Sequence, residues 1–158
     1  MSIDIYIPGV HRLTLEALVL DVNGTLALDG VLIAGVRERL GRLKELMSVH
    51  LVTADTHGRQ AEVDAALGLR ALILAPNEPQ APAKARFVRD LGAEAVAAIG
   101  NGVNDALMIR EAALGIAVLG PEGLAAATLR AADVVAPDIG AALDLLLYPK
   151  RLIASLRA

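Results

Sequence analysis

The sequence predicts an α/β fold with a mostly parallel sheet, and three observations carry that prediction. Short apolar runs of strand length alternate with helix-length amphipathic stretches. Gly or Asn closes many of the runs, as expected where a buried strand meets a loop. Several of those loops carry Asp, Asn or Thr at the strand's carboxyl end, where open α/β sheets collect their ligands. With 158 residues the chain can bury a sizeable core, and one domain is expected over 1–158.

In order, residues 2–7 alternate polar and apolar, Pro8-Gly9 marks a turn, and 10–15 resume the alternation. This predicts an N-terminal β-hairpin at an edge, without chemistry. The apolar run 17–20 is the central strand, and it ends in Asp21. Asp29-Gly30 between apolar flanks predicts a small flap hairpin over 26–33, beside the Asp21 loop. A helix is expected over 34–47, because Val36, Leu40, Leu43 and Met47 fall at helical spacing. The strand 49–52 runs into Thr53-Ala54-Asp55-Thr56, and a helix over 58–67 is closed by Gly68. A third strand over 71–74, an irregular loop over 76–82 and a helix over 83–91 follow. The fourth strand, 95–99, runs into Gly100-Asn101-Gly102-Val103-Asn104-Asp105. Beyond it lie a helix over 106–113, a strand over 115–119, a helix over 122–130, a short strand at 134–135 and a helix over 139–147 that Pro149 stops. Right-handed crossovers bring the loops at Asp21, Thr53 and Asn101 to one edge of such a sheet.

Composition excludes several functions. The chain is 55% hydrophobic, but in short runs. None approaches the roughly 20 apolar residues of a membrane span. Residues 1–6 lack a basic segment, so no signal peptide is expected and the cytoplasm is the expected location. The absence of cysteine removes disulfides and thiol catalysis. A net charge of −3, with one Phe and two Tyr, argues against a nucleic-acid partner.

The strand ends carry the chemistry. Asp21 would stand on a rigid element with its oxygens facing out of the sheet. Gly24 lets the backbone approach an anion, and Thr25 adds a hydroxyl. The six residues 100–105 hold two glycines, two amides and a carboxylate, more than a helix cap requires. A hard cation such as Mg²⁺ takes oxygen ligands. Asp21, Asn101 and Asp105 could share one, with a backbone carbonyl at Asn23. Thr53 could donate to a phosphoryl oxygen, although Thr is also ordinary in strands. Lys84 could reach inward as a point charge on phosphate or simply be solvated. Asp55 reads as a cap for the following helix. His11, His50 and His57 show no ligand spacing; His57 lies near the Thr53 loop, where a surface role is expected.

The order of Asp21, Thr53, Lys84 and the 100–105 loop resembles the haloacid dehalogenase superfamily across nearly the whole chain. Within it, the sequence is most similar to soluble relatives of the P-type ATPase phosphorylation domain. Thr53-Ala54-Asp55 looks like the Thr-Gly-Asp loop of those ATPases, and residues 100–105 resemble their Gly-Asp-Gly-x-Asn-Asp motif. The resemblance implies a Rossmann-like three-layer α/β/α sandwich and a phosphorylated substrate. It makes Asp21 the nucleophile that forms an aspartyl-phosphate. Thr53 and Lys84 would hold the phosphoryl group, with Gly24, Thr25, Ala54 and Asn104 around it. Asp21, Asn23, Asn101 and Asp105 would hold Mg²⁺.

Two departures from the family pattern bear on activity. Asn23 stands where phosphatases of the family carry a general acid and base, an effect worth ~10²–10⁴-fold. Slow hydrolysis or a lingering phosphoenzyme is therefore expected. Asn101 stands where the motif has Asp, so the metal loses one negative ligand. No long insertion separates the flap from its helix, so the site is expected to be uncapped. The substrate could then be a macromolecule, or a second copy could cover the site through the apolar flap. The alternative is a phosphate- or partner-sensing module on the same fold, without turnover.

Overall fold

In the computed structural model, which describes residues 1–158, the chain opens with the antiparallel hairpin β1 (Ile3–Ile7) and β2 (His11–Leu15). Alternation along β1 sends Ile3, Ile5 and Ile7 into the core and leaves Asp4 and Tyr6 in solvent. The hairpin is a separate two-stranded sheet, not an edge of the main one. Its apolar face joins the larger hydrophobic core. Alternation tells which face is buried but not which element covers it, so the expected edge position is corrected here.

The main sheet has six strands. They are β3 (Ala17–Asp21), β6 (Ser48–Thr53), β7 (Leu72–Ile73), β8 (Val96–Gly100), β9 (Leu114–Val118) and β10 (Val134–Ala136). They lie in the order β10-β9-β8-β3-β6-β7, and every pair is parallel. All residues of β3, β8 and β9 are buried, as strands covered on both faces must be. Between β3 and β6 stands the flap, β4 (Ala27–Leu28) and β5 (Val31–Leu32), paired antiparallel. Leu26 and Ala27 are buried in the chain's own core, which leaves Val31 as the flap's exposed apolar residue.

Seven helices complete the layers: α1 (Val36–Leu43), α2 (Gln60–Leu67), α3 (Gln80–Asp90), α4 (Ala106–Glu111), α5 (Ala126–Ala131), α6 (Ile139–Leu147) and α7 (Pro149–Leu156). Leu18 and Leu20 of β3 face the core shared with α1, α2, α6 and α7. Ala17 and Val19 face the core shared with α3 and α4. The strand period of two therefore turns Asp21 toward α3. That side carries Lys84.

Several boundaries differ from those the sequence suggests. Helix α1 ends at Leu43, and Met47 is buried beyond a turn. Helix α3 begins at Gln80, so Pro82 lies in its first turn, where the missing N–H has no helical acceptor to lose. The helix expected from residue 122 begins only at Ala126, because Gly120 and Gly123 pair in a tight turn. Pro149 does not merely stop α6; it opens α7 at the helix position that proline favours. No helix is long and apolar enough to cross a membrane.

Candidate active site

Parallel register sets the site. Leu20 pairs with Ile99 and Asp21 with Val52, so Asp21 leaves the sheet between the ends of β8 and β6. Asn101 follows one strand and Thr53 ends the other. A cleft of about 620 Å³ opens over these ends. Asp21, Asn23, Thr53, Ala54, Lys84 and Asn101 line it, together with Asn104. Residues from three strand ends and one helix thus converge although they are scattered along the chain.

The floor is a buried ion cluster. Lys84, fully buried in α3, donates to Asp21 Oδ1 at 2.7 Å and to Asp105 Oδ1 at 2.8 Å. Burial opposes charge on Lys84, but Asp21 and Asp105 outweigh that and hold its pKa above the ordinary lysine value. Burial, with Asp105 repulsion added, pushes the Asp21 carboxyl up to about 7 against the pull of Lys84. The two acids thus share one ammonium.

Asp105 stands behind the cleft rather than in it. It is fully buried, and its Oδ2 accepts from the Asn101 and Gly102 N–H groups at 3.0 and 3.1 Å. That clamp needs a glycine at position 100, where a Cβ would come within 2.5 Å of the Asp105 carboxylate. Asn101 is the loop's forward group. Its Oδ1 and Asp21 Oδ2 both lie 3.1 Å from the Thr25 hydroxyl, whose single proton serves one of them. Thr25 is itself buried and does not line the cleft, and the Gly24 N–H is engaged by Ala27 at 2.7 Å. Thr25 thus touches both Asp21 and Asn101, and the Gly24 N–H closes the turn.

Thr53 is buried and oriented. Its Oγ1 accepts from Asn23 Nδ2 at 3.3 Å and from the Asp55 N–H at 3.0 Å. Both lone pairs are then occupied, which leaves the hydroxyl proton free to point into the cleft. Asn23 also donates to Thr56 Oγ1 at 3.2 Å. Asp55 accepts from the Gln60 N–H at 3.1 Å, at the first residue of α2, as a cap would. Asn104 donates to Gln80 Oε1 at 2.6 Å, so its amide is tied to the start of α3.

The oxygen donors here suit a hard divalent ion. Asp21 and Asn101 face the cleft, and the Asn23 carbonyl accepts no hydrogen bond from the chain. No three acidic or imidazole side chains converge closely enough to hold an ion by themselves. A bound ion could take Asp21, the Asn23 carbonyl and Asn101 with water, while Asp105 acts from behind. Sequence reasoning missed Glu122, Gln80 and Thr56, and it gave His57, near the Thr53 loop, only a surface role; all four line the cleft. The turn signal Gly120-Pro121-Glu122-Gly123 could have revealed the first.

No family model matches the chain. It is 50% identical over 62 residues to the uncharacterized protein MJ0073 of Methanocaldococcus jannaschii, which covers 39% of this chain and 67% of that one. Among solved structures it is similar to a HAD superfamily (subfamily III A) hydrolase from Legionella pneumophila, with TM-score 0.65, 20% identity, and 90% of this chain and 87% of that one covered. It is also similar to the 3-deoxy-D-manno-octulosonate 8-phosphate phosphatase of Moraxella catarrhalis, solved with magnesium, phosphate and KDO, with TM-score 0.61, 22% identity and coverage of 90% and 87%. A zinc-transporting PIB-type ATPase in its E2.Pi state matches with TM-score 0.63 and 25% identity over 79% of this chain, which spans 20% of that one. The chain has the haloacid dehalogenase superfamily fold, and it belongs to one family with protein MJ0073.

Proposed function

We propose that this protein is a Mg²⁺-dependent phosphohydrolase that works through an aspartyl-phosphate on Asp21. The observation that carries the reading is Lys84 Nζ shared between Asp21 and Asp105 at the carboxyl ends of adjacent strands. The fold's phosphatase relative, solved with magnesium and phosphate, supports it.

In this reading an Asp21 carboxylate oxygen attacks phosphorus and the ester bond to the leaving oxygen breaks. The leaving oxygen takes its proton from water, because Asn23 has none to give at ordinary pH. Water then attacks the phosphoryl group, which releases inorganic phosphate and restores the carboxylate. The Thr53 hydroxyl and the Lys84 ammonium hold phosphoryl oxygens, with the Ala54 backbone beside them and Asn104 at the far wall. Bound Mg²⁺ would neutralise phosphoryl charge, the main demand of phosphoryl transfer. The missing acid makes both steps slow.

The test is phosphate release from a generic phosphomonoester with Mg²⁺, compared between wild type and Asp21→Asn. Release by wild type alone is expected; equal release by both contradicts the reading. A second reading, a phosphate sensor without turnover, draws on the two amides Asn23 and Asn101. It requires Mg²⁺-dependent binding of beryllofluoride with no release from any substrate.

A further inference from the structure

The walls of the cleft carry a charge pattern that phosphate chemistry does not require. Beyond the floor, the polar side chains are the neutral Asn23, Thr56, Gln80 and Asn104, with His57 at the mouth. No arginine lines the cleft, and its one lysine, Lys84, is buried at the floor between two carboxylates. Glu122 is the exception. Its Oε2 hangs over Gly24, so close that a Cβ there would lie 1.7 Å away, and the same point is 3.2 Å from Asn101 Nδ2. No hydrogen bond or ion pair engages the Glu122 carboxylate, which faces the cleft beside the nucleophile loop.

A site that receives an acid beyond the phosphate ordinarily supplies a basic side chain for it, since arginine matches carboxylate and phosphate geometry. This cleft supplies an acid instead. No Phe, Tyr or Trp lines it, and His57 is the only ring at its edge, so it offers no two-sided stacking slot for a nucleobase. The groups present can hydrogen-bond hydroxyls and attract a cation, and they repel a second anion. Specificity here is a difference of affinities, and Glu122 contributes to both sides of it.

We propose that the cleft selects phosphomonoesters whose organic part carries a protonated amine within reach of Glu122, and disfavours those carrying a second acid. The inference rests on the phosphohydrolase reading for its site. Glu122 is exposed, so solvent screens the interaction and an effect of about fivefold is expected.

The test uses three esters of similar size: aminoethyl, hydroxyethyl and carboxymethyl phosphate. Phosphate release with Mg²⁺ by wild type should fall in that order in kcat/KM, by about fivefold at each step. In Glu122→Gln the order should flatten, and rising salt should compress it in wild type. An unchanged order in Glu122→Gln, or a preference for the carboxymethyl ester, overturns the proposal. Binding of the same esters to Asp21→Asn with Mg²⁺, measured by calorimetry, gives the charge preference without turnover. Preferential binding of the amine with no release by wild type removes the hydrolase reading and leaves the preference standing. Release or binding without any ranking removes the preference alone.

Discussion

Lys84 Nζ lies 2.7 Å from Asp21 Oδ1, although 63 residues separate the two in the chain. The same ammonium touches Asp105 at 2.8 Å. One buried cation therefore holds the end of β3, the start of α3 and the loop after β8 together. The cluster is a structural joint as well as a candidate reaction centre.

Removing the ammonium should reveal that joint. Lys84→Met leaves two buried carboxylates without a cation, a loss of about 3–5 kcal/mol for a broken buried pair. Urea unfolding of the metal-free variant should show it. Millimolar Mg²⁺ should recover part of the loss, because a divalent ion can take over the neutralisation. A variant as stable as wild type contradicts the role given to Lys84.

Asp21 predicts a pH dependence of the opposite kind to an ordinary ion pair. Its folded pKa is raised from the ordinary carboxylate value of 3.8 to about 7, mainly by burial. Between these values the folded state binds the proton more tightly than the unfolded state, so this group lowers stability as pH rises through that window. Metal-free Asp21→Asn should therefore gain on wild type from about pH 4 to about pH 7 and hold a constant advantage above. Thermal melts across that range check it. An advantage that grows as pH falls contradicts the assigned burial.

Asn23→Asp should raise turnover. The side chain at position 23 stands at the cleft against Thr53 and Thr56. A carboxyl there would supply a group that can give and take a proton, with a gain of at least roughly 10²-fold expected in phosphate release. An unchanged rate means that another group already moves the proton or that proton transfer does not limit the reaction.

Gly24→Ala should cost about 1–2 kcal/mol through its left-handed backbone, φ 78°. It should also displace Glu122, whose Oε2 occupies the space of the new Cβ. The cost should shrink in a Glu122→Ala background, and a double-mutant cycle on chemical denaturation measures that coupling. Strict additivity would separate Glu122 from the loop that follows Asp21.

Much of this was legible from the chain itself, for physical reasons. Strands buried on both faces need unbroken apolar runs, so β3, β8 and β9 announce themselves. The polar residue that ends each run then sits at the ligand edge, which brings Asp21, Thr53 and Asn101 into view. Other features depend on distances that no pattern encodes. That Lys84 serves two acids, and that Asp105 lies behind Asn101, follows from the packing of α3 and the 100–105 loop. Glu122 was hidden because the Ala-rich run after it reads as one helix, whereas Pro121 and Gly123 hold it in a turn. Helix α7 was hidden because a proline that ends one helix and a proline that begins the next look alike in sequence.

The most direct measurement is acid-quench mass spectrometry of the protein after brief exposure to acetyl phosphate. With Mg²⁺, a phosphoryl adduct should appear on the peptide that contains Asp21, and Asp21→Asn should show none. An adduct on any other residue, or the same adduct in Asp21→Asn, would contradict the account.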